Sequence, residues 1–223
     1  MDLNSFSVNF AALFIATAST TYALTNDGSN GYEIRVWDQF GENLMTIGNL
    51  DEEEVWNEWT KRWVLLVVAE NSNENKKLKS NYWKEKVIDQ TGNLSFVSES
   101  LGNDQKNNFS STNDEKRIQY AQSKKSEIRS KVRRLQEECE YAYGRHINRD
   151  SSWYKSWFNS ASQRTKLEEK DNKKEKNFEY WRDVFRACSK EGDVDKMPIG
   201  WLSSTSLKLY QEKGLYKEES KKS

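Results

Sequence analysis

The chain has 223 residues, with 35 basic and 35 acidic side chains, so its formal net charge is zero. Its aromatic content of 13%, including nine Trp and ten Tyr, excludes wholesale disorder, because disordered chains are poor in large apolar groups. Residues 1–100 carry 15 acids and 8 bases and residues 101–223 carry 20 acids and 27 bases, a −7/+7 division that suits either a basic binding half or attraction between copies.

In chain order, SFSVNFAALFIATASTTYALT opens with Phe6, Val8 and Phe10 alternating with Ser5, Ser7 and Asn9, which is strand periodicity. The alternative is a signal peptide cut near Leu24, although the only charge before the run is Asp2. A membrane anchor needs roughly 20 apolar residues and is not expected. Next, YEIRVWD alternates Tyr32, Ile34 and Val36 with Glu33, Arg35 and Trp37, and NLMTIG continues an antiparallel meander. Acids Asp51 to Glu54 favour a helix start, so one short helix is expected near 51–62. The β-branched run WVLLVVA at 63–69 reads as a buried strand. Residues 36–44 and 87–94 share an Asp-Gln-(Phe/Thr)-Gly core, which reads as two hairpins with similar turn chemistry. Together these predict an α+β fold, with a β-rich domain over 1–105 and a linker over 106–113.

Beyond the linker the period changes. Ile118, Ala121, Lys125, Ile128, Val132, Leu135, Cys139 and Ala142 are spaced 3, 4, 3, 4, 3, 4, 3, a coiled-coil seam with Lys125 as a polar intruder. The expected element is one helix over 114–143, ended at Gly144, followed by a second over 151–189 to form an αα-hairpin. Trp153, Trp157 and Ala161 would open the second helix, and Phe178, Trp181, Phe185 and Cys188 would close it. A short C-terminal helix is expected from Ser203 or Ser204. Cys139 and Cys188 read as two small apolar residues in packed helices, since two cysteines make neither a zinc site nor a disulfide framework. Unbroken helices would hold them about 50 Å apart, so a bridge between them requires a broken second helix.

Candidate chemistry is sparse. The one histidine, His146, stands just past a helix end, and no Walker loop, GxGxxG, HExxH or nucleophile elbow occurs. No catalytic residue, cofactor or metal is expected. The sequons Asn93-Leu94-Ser95 and Asn108-Phe109-Ser110 matter only in a secreted chain. A basic line of Arg117, Lys124 and Lys131, widened by Arg129, Arg133 and Arg134, is the candidate nucleic-acid surface.

The leading expectation is a non-enzymatic structural protein of an assembly, such as a viral or phage particle. It would pair with itself or another assembly protein through the seam, inside a cell or in a virion. A nucleic-acid-binding protein using 116–134 is the second expectation, and an exported β domain with a helical stalk the third.

Overall fold

A computed structural model describes residues 33–148, 173–198 and 201. The opening strand or signal segment, the hairpin loop with the start of the second helix, and the C-terminal helix all lie outside the described residues. Within them the chain is helical. Strand β1 (Glu33–Arg35) and strand β2 (His146–Asn148) form a single antiparallel ladder, Ile34 opposite Ile147. Six α-helices accompany it among the described residues: α1 (Val36–Phe40), α2 (Glu53–Val68), α3 (Gln90–Ser98), α4 (Ser111–Ser123), α5 (Lys125–Tyr143) and α6 (Lys173–Cys188). A π-helical turn spans Tyr82–Val87.

The expected β-rich N-terminal domain is therefore corrected. The decisive segment is 63–69, which is not a strand: Trp63–Val68 continue the helix that starts at Glu53. Trp56, Trp59, Trp63, Val64, Leu66, Val67 and Val68 are all buried, because α2 is wrapped by α3, α4, α5 and α6. A helix apolar on every side is a core helix, and over a short run its pattern matches that of a buried strand. Likewise YEIRVWD is strand only to Arg35. Asp38 then accepts the Arg35 N–H at 3.1 Å and caps the turn α1. NLMTIG forms no strand; Leu44 makes one isolated bridge, to Ser189.

Neither expected hairpin turn forms. Asp89, at φ 47°, leads into α3, and Gly92 lies within that helix. A Cβ on Gly92 would stand 2.6 Å from both Asp89 carboxylate oxygens, so the Asp-Gly spacing serves a helix start.

The long helix expected over 114–143 breaks at Lys124, whose φ of −103° and ψ of 39° are not helical. The break falls beside Lys125, the seam's polar intruder, and both α4 and α5 contact α2. Helix α4 begins earlier than expected, with Ser110 Oγ accepting the Asn113 N–H at 3.4 Å. Helix α5 ends at Gly144, as its sequence predicts, though with a right-handed φ of −75°. One buried cluster holds Val36, Trp59, Trp83, Leu135, Phe185 and Trp201, so the core runs continuously across residues 106–113.

The reading of the cysteines as two small apolar packing residues is corrected. Cys139 and Cys188 form a disulfide, with Cα atoms 5.6 Å apart. The expected helices would have held them about 50 Å apart at 1.5 Å per residue.

Candidate functional site

The seam residues meet the protein itself. Ala121, Ile128, Val132, Leu135, Cys139 and Ala142 are buried in the common core, and Ile118 packs partly buried against it. The stripe thus faces α2 and α6 of the same chain. The tryptophans follow the same logic: Trp56 Nε1 donates to Gln122 O at 2.9 Å and Trp59 Nε1 to Thr46 O at 3.1 Å.

The basic line is dismantled residue by residue. Arg117 is fully buried: its guanidinium donates to Asp114 at 2.9 Å, to Lys106 O at 3.2 Å and to Asn108 O at 2.8 Å. It also covers the Phe109 ring at 4.6 Å, so it anchors the 102–110 loop from below. Lys124 pairs with Glu127 at 3.3 Å, and that hydrogen bond raises its pKa. Arg129 grips Asp51, one contact measuring 2.9 Å, and Lys125 stands 3.9 Å from the same carboxylate. The Arg129 hydrogen bond holds the Asp51 carboxyl below its ordinary range. Lys131 donates to Asn93 Oδ1 and lies over the Phe96 ring at 5.5 Å. Only Arg133 and Arg134 of the candidate set are exposed. Part of the −7/+7 division is thus satisfied within one chain, where Asp51 meets Lys125 and Arg129.

What the structure does bring together is a clasp around the C-terminal end of α6. Both cysteines are fully buried. Beside them the Tyr143 hydroxyl lies 2.8 Å from Cys188 O and 2.9 Å from Met45 O, and its burial raises its pKa. Glu138, one residue before Cys139, accepts from Tyr180 at 2.6 Å and from Tyr82 at 3.0 Å. Burial and the Glu138 charge push the Tyr180 pKa well up.

Arg62 of α2 closes the end of the helix. It donates to Arg186 O at 3.0 Å, in the last turn where carbonyls lack intrahelical partners, and to Ser189 O at 2.7 Å and Lys190 O at 3.0 Å just beyond the helix. Burial, with the Arg186 charge nearby, pulls its pKa down to about 10, so it remains a cation at neutral pH.

A second anchor sits one and a half turns earlier. Asp183 accepts the Lys79 and Ser80 N–H groups, each at 2.7 Å, while Arg182 donates to Asp183 at 2.7 Å and to Lys77 O and Asn75 O at 2.8 Å. Burial pushes the Asp183 carboxyl up, and Arg182 with the two N–H donors pulls against it. The polar 71–81 loop is thereby held by α6. Arg62, Arg182 and Asp183 carry no mark in the sequence, and Arg117 is marked there only as part of a basic surface, because a buried charge leaves no periodic signal until its carbonyl partners are known.

An open cleft of about 620 Å³ runs along α3 beside the 102–110 loop, its lining including Thr91, Leu94, Ser98, Lys106, Asn107 and Phe109. Among the described residues, no group of three or more His, Cys, Asp and Glu is placed to hold a metal ion. No described helix is long and apolar enough to cross a membrane. Comparison with protein-family models, curated proteins and solved structures finds no match to this chain.

Proposed function

We propose that this chain is an exported structural or interaction domain, a helical body stapled for an oxidising compartment that acts through protein contacts on its outer faces. The observation that carries the reading is the fully buried Cys139–Cys188 bridge, which joins two core helices 49 residues apart in sequence. Disulfides persist in oxidising surroundings and are rare where thiols are kept reduced. The apolar run before Leu24 offers, in sequence, the export segment that such a location needs. The exported alternative thus gains support, with a helical body in place of its β domain. A coiled-coil assembly loses its seam to the chain's own core, and nucleic-acid binding loses most of its basic line.

The test is to produce the chain in a reducing cytosol and in an oxidising compartment, alkylating thiols at harvest. The reading predicts an unlabelled product that unfolds cooperatively from the oxidising compartment and a labelled, destabilised product from the cytosol. A dithiol form of equal stability overturns it.

A further inference from the structure

We propose that Asn108 is an N-linked glycan acceptor and that Asn93, the other sequon asparagine, is not. The inference rests on the exported reading, because the modifying enzyme works along the secretory route.

The two sequons are alike in sequence and opposite in setting. Asn93 is only 2% exposed and lies inside α3. Its side-chain nitrogen donates to Ile88 O at 2.6 Å, and its oxygen accepts from Lys131. A sugar on that nitrogen would end the Ile88 bond and force a hydrated oligosaccharide into the core. A chain modified there before folding cannot reach this structure.

Asn108 stands in the exposed stretch 102–108, between a 3-10 turn and α4. Its main chain is well held: the N–H donates to Gln105 O at 2.9 Å, and the carbonyl accepts from Arg117 at 2.8 Å and Asn113 at 3.0 Å. These bonds use backbone atoms, so adding a sugar to the side chain breaks none of them. Ser110, the hydroxyl of the sequon, lies in extended backbone at φ −84° and ψ 158°. An N-linked glycan is bulky and hydrated and needs a surface loop.

The donor is a lipid-diphosphate-linked oligosaccharide. The Asn108 amide nitrogen forms a bond to the anomeric carbon, the carbon–oxygen bond to the diphosphate breaks, the nitrogen loses one proton and the lipid diphosphate leaves.

The experiment expresses the full chain through a eukaryotic secretory pathway, isolates the folded, disulfide-bonded fraction and maps its peptides before and after enzymatic glycan release. We expect one glycan on Asn108, absent from Asn108→Gln and retained in Ser110→Thr, which keeps both sequon and helix cap. Ser95→Ala, which removes the Asn93 sequon at an exposed residue, is expected to leave the glycan pattern unchanged. A secreted, disulfide-bonded chain without a glycan, or one modified at Asn93, overturns the inference and leaves the exported reading standing. A folded chain retained with both thiols free overturns both.

Discussion

Arg62 of α2 reaches across 127 residues of sequence to place its guanidinium 2.7 Å from the main-chain oxygen of Ser189. Two further carbonyls, of Arg186 and Lys190, complete the grip. Arg62→Met removes three charge-assisted bonds and leaves buried carbonyls unpaired, a loss of about 3 kcal/mol by chemical denaturation. Arg62→Lys is expected to recover only part of it, since an ammonium cannot span three acceptors in the guanidinium's fork geometry. Unchanged stability in the Met variant would mean that the helix end is not held here.

Gly192 supports the same grip from the other side. It has φ +64°, and a Cβ built on it would overlap the Arg62 guanidinium. Gly192→Ala is therefore expected to cost more than about 1 kcal/mol from backbone conformation alone, with the Arg62 clash added. Combined with Arg62→Met, the clash disappears, so the double variant should lose less than the sum of the singles.

The basic residues divide sharply. Arg117→Ala is expected to destabilise the fold by about 2–3 kcal/mol, because it leaves the Lys106 and Asn108 carbonyls unpaired inside the protein. Arg134→Ala, at an exposed position of α5, is expected to leave the unfolding midpoint unchanged. If a basic nucleic-acid surface were the point of this segment, both variants would weaken salt-sensitive binding while leaving stability alone.

Ile128→Ala separates a core from an interface. Ile128 is 1% exposed within the single chain, so its truncation is expected to cost about 3 kcal/mol with no change in mass by light scattering. A shift in oligomeric state at unchanged stability would return the seam to an interchain role.

Glu74 offers a pH test. Hydrogen bonds from Lys77 and Lys79 lower its carboxyl from 4.5 to about 2. A lowered folded pKa means that the small contribution of this exposed cluster is present above pH 4.5 and is lost as pH falls toward 2. Carboxyl titration by NMR should place the Glu74 midpoint well below 4.5 at low salt and nearer to it at high salt, because the group is exposed and screened. A midpoint at 4.5 independent of salt would contradict the pairing.

The 3-4 spacing from Ile128 to Ala142 records the apolar face of α5, and its five residues are buried, but it gives no sign that Gln136, Glu138 and Tyr143 are buried as well. It did not show what that face meets. Residues 63–69 were opaque for a related reason: all of them but Leu65 are buried, and burial on nearly every side erases the period that separates helix from strand. The acids at 51–54 did mark the start of α2, and Gly144 the end of α5. The disulfide could not be read from two cysteines 49 residues apart, since pairing depends on where α6 returns. The anchors Arg62, Arg117, Arg182 and Asp183 look like solvated charges until the carbonyls and N–H groups they hold are placed beside them.

A disulfide clasps α5 to α6. In the chain-entropy account, closing 49 residues stabilises by about 4 kcal/mol. The most direct measurement is a peptide map of the folded chain, alkylated without prior reduction, with unfolding followed with and without reductant. The expected result is one linked peptide pair containing Cys139 and Cys188, no alkylated thiol, and a large fall in midpoint on reduction. Two alkylated cysteines in a folded chain, or a midpoint indifferent to reductant, would contradict it.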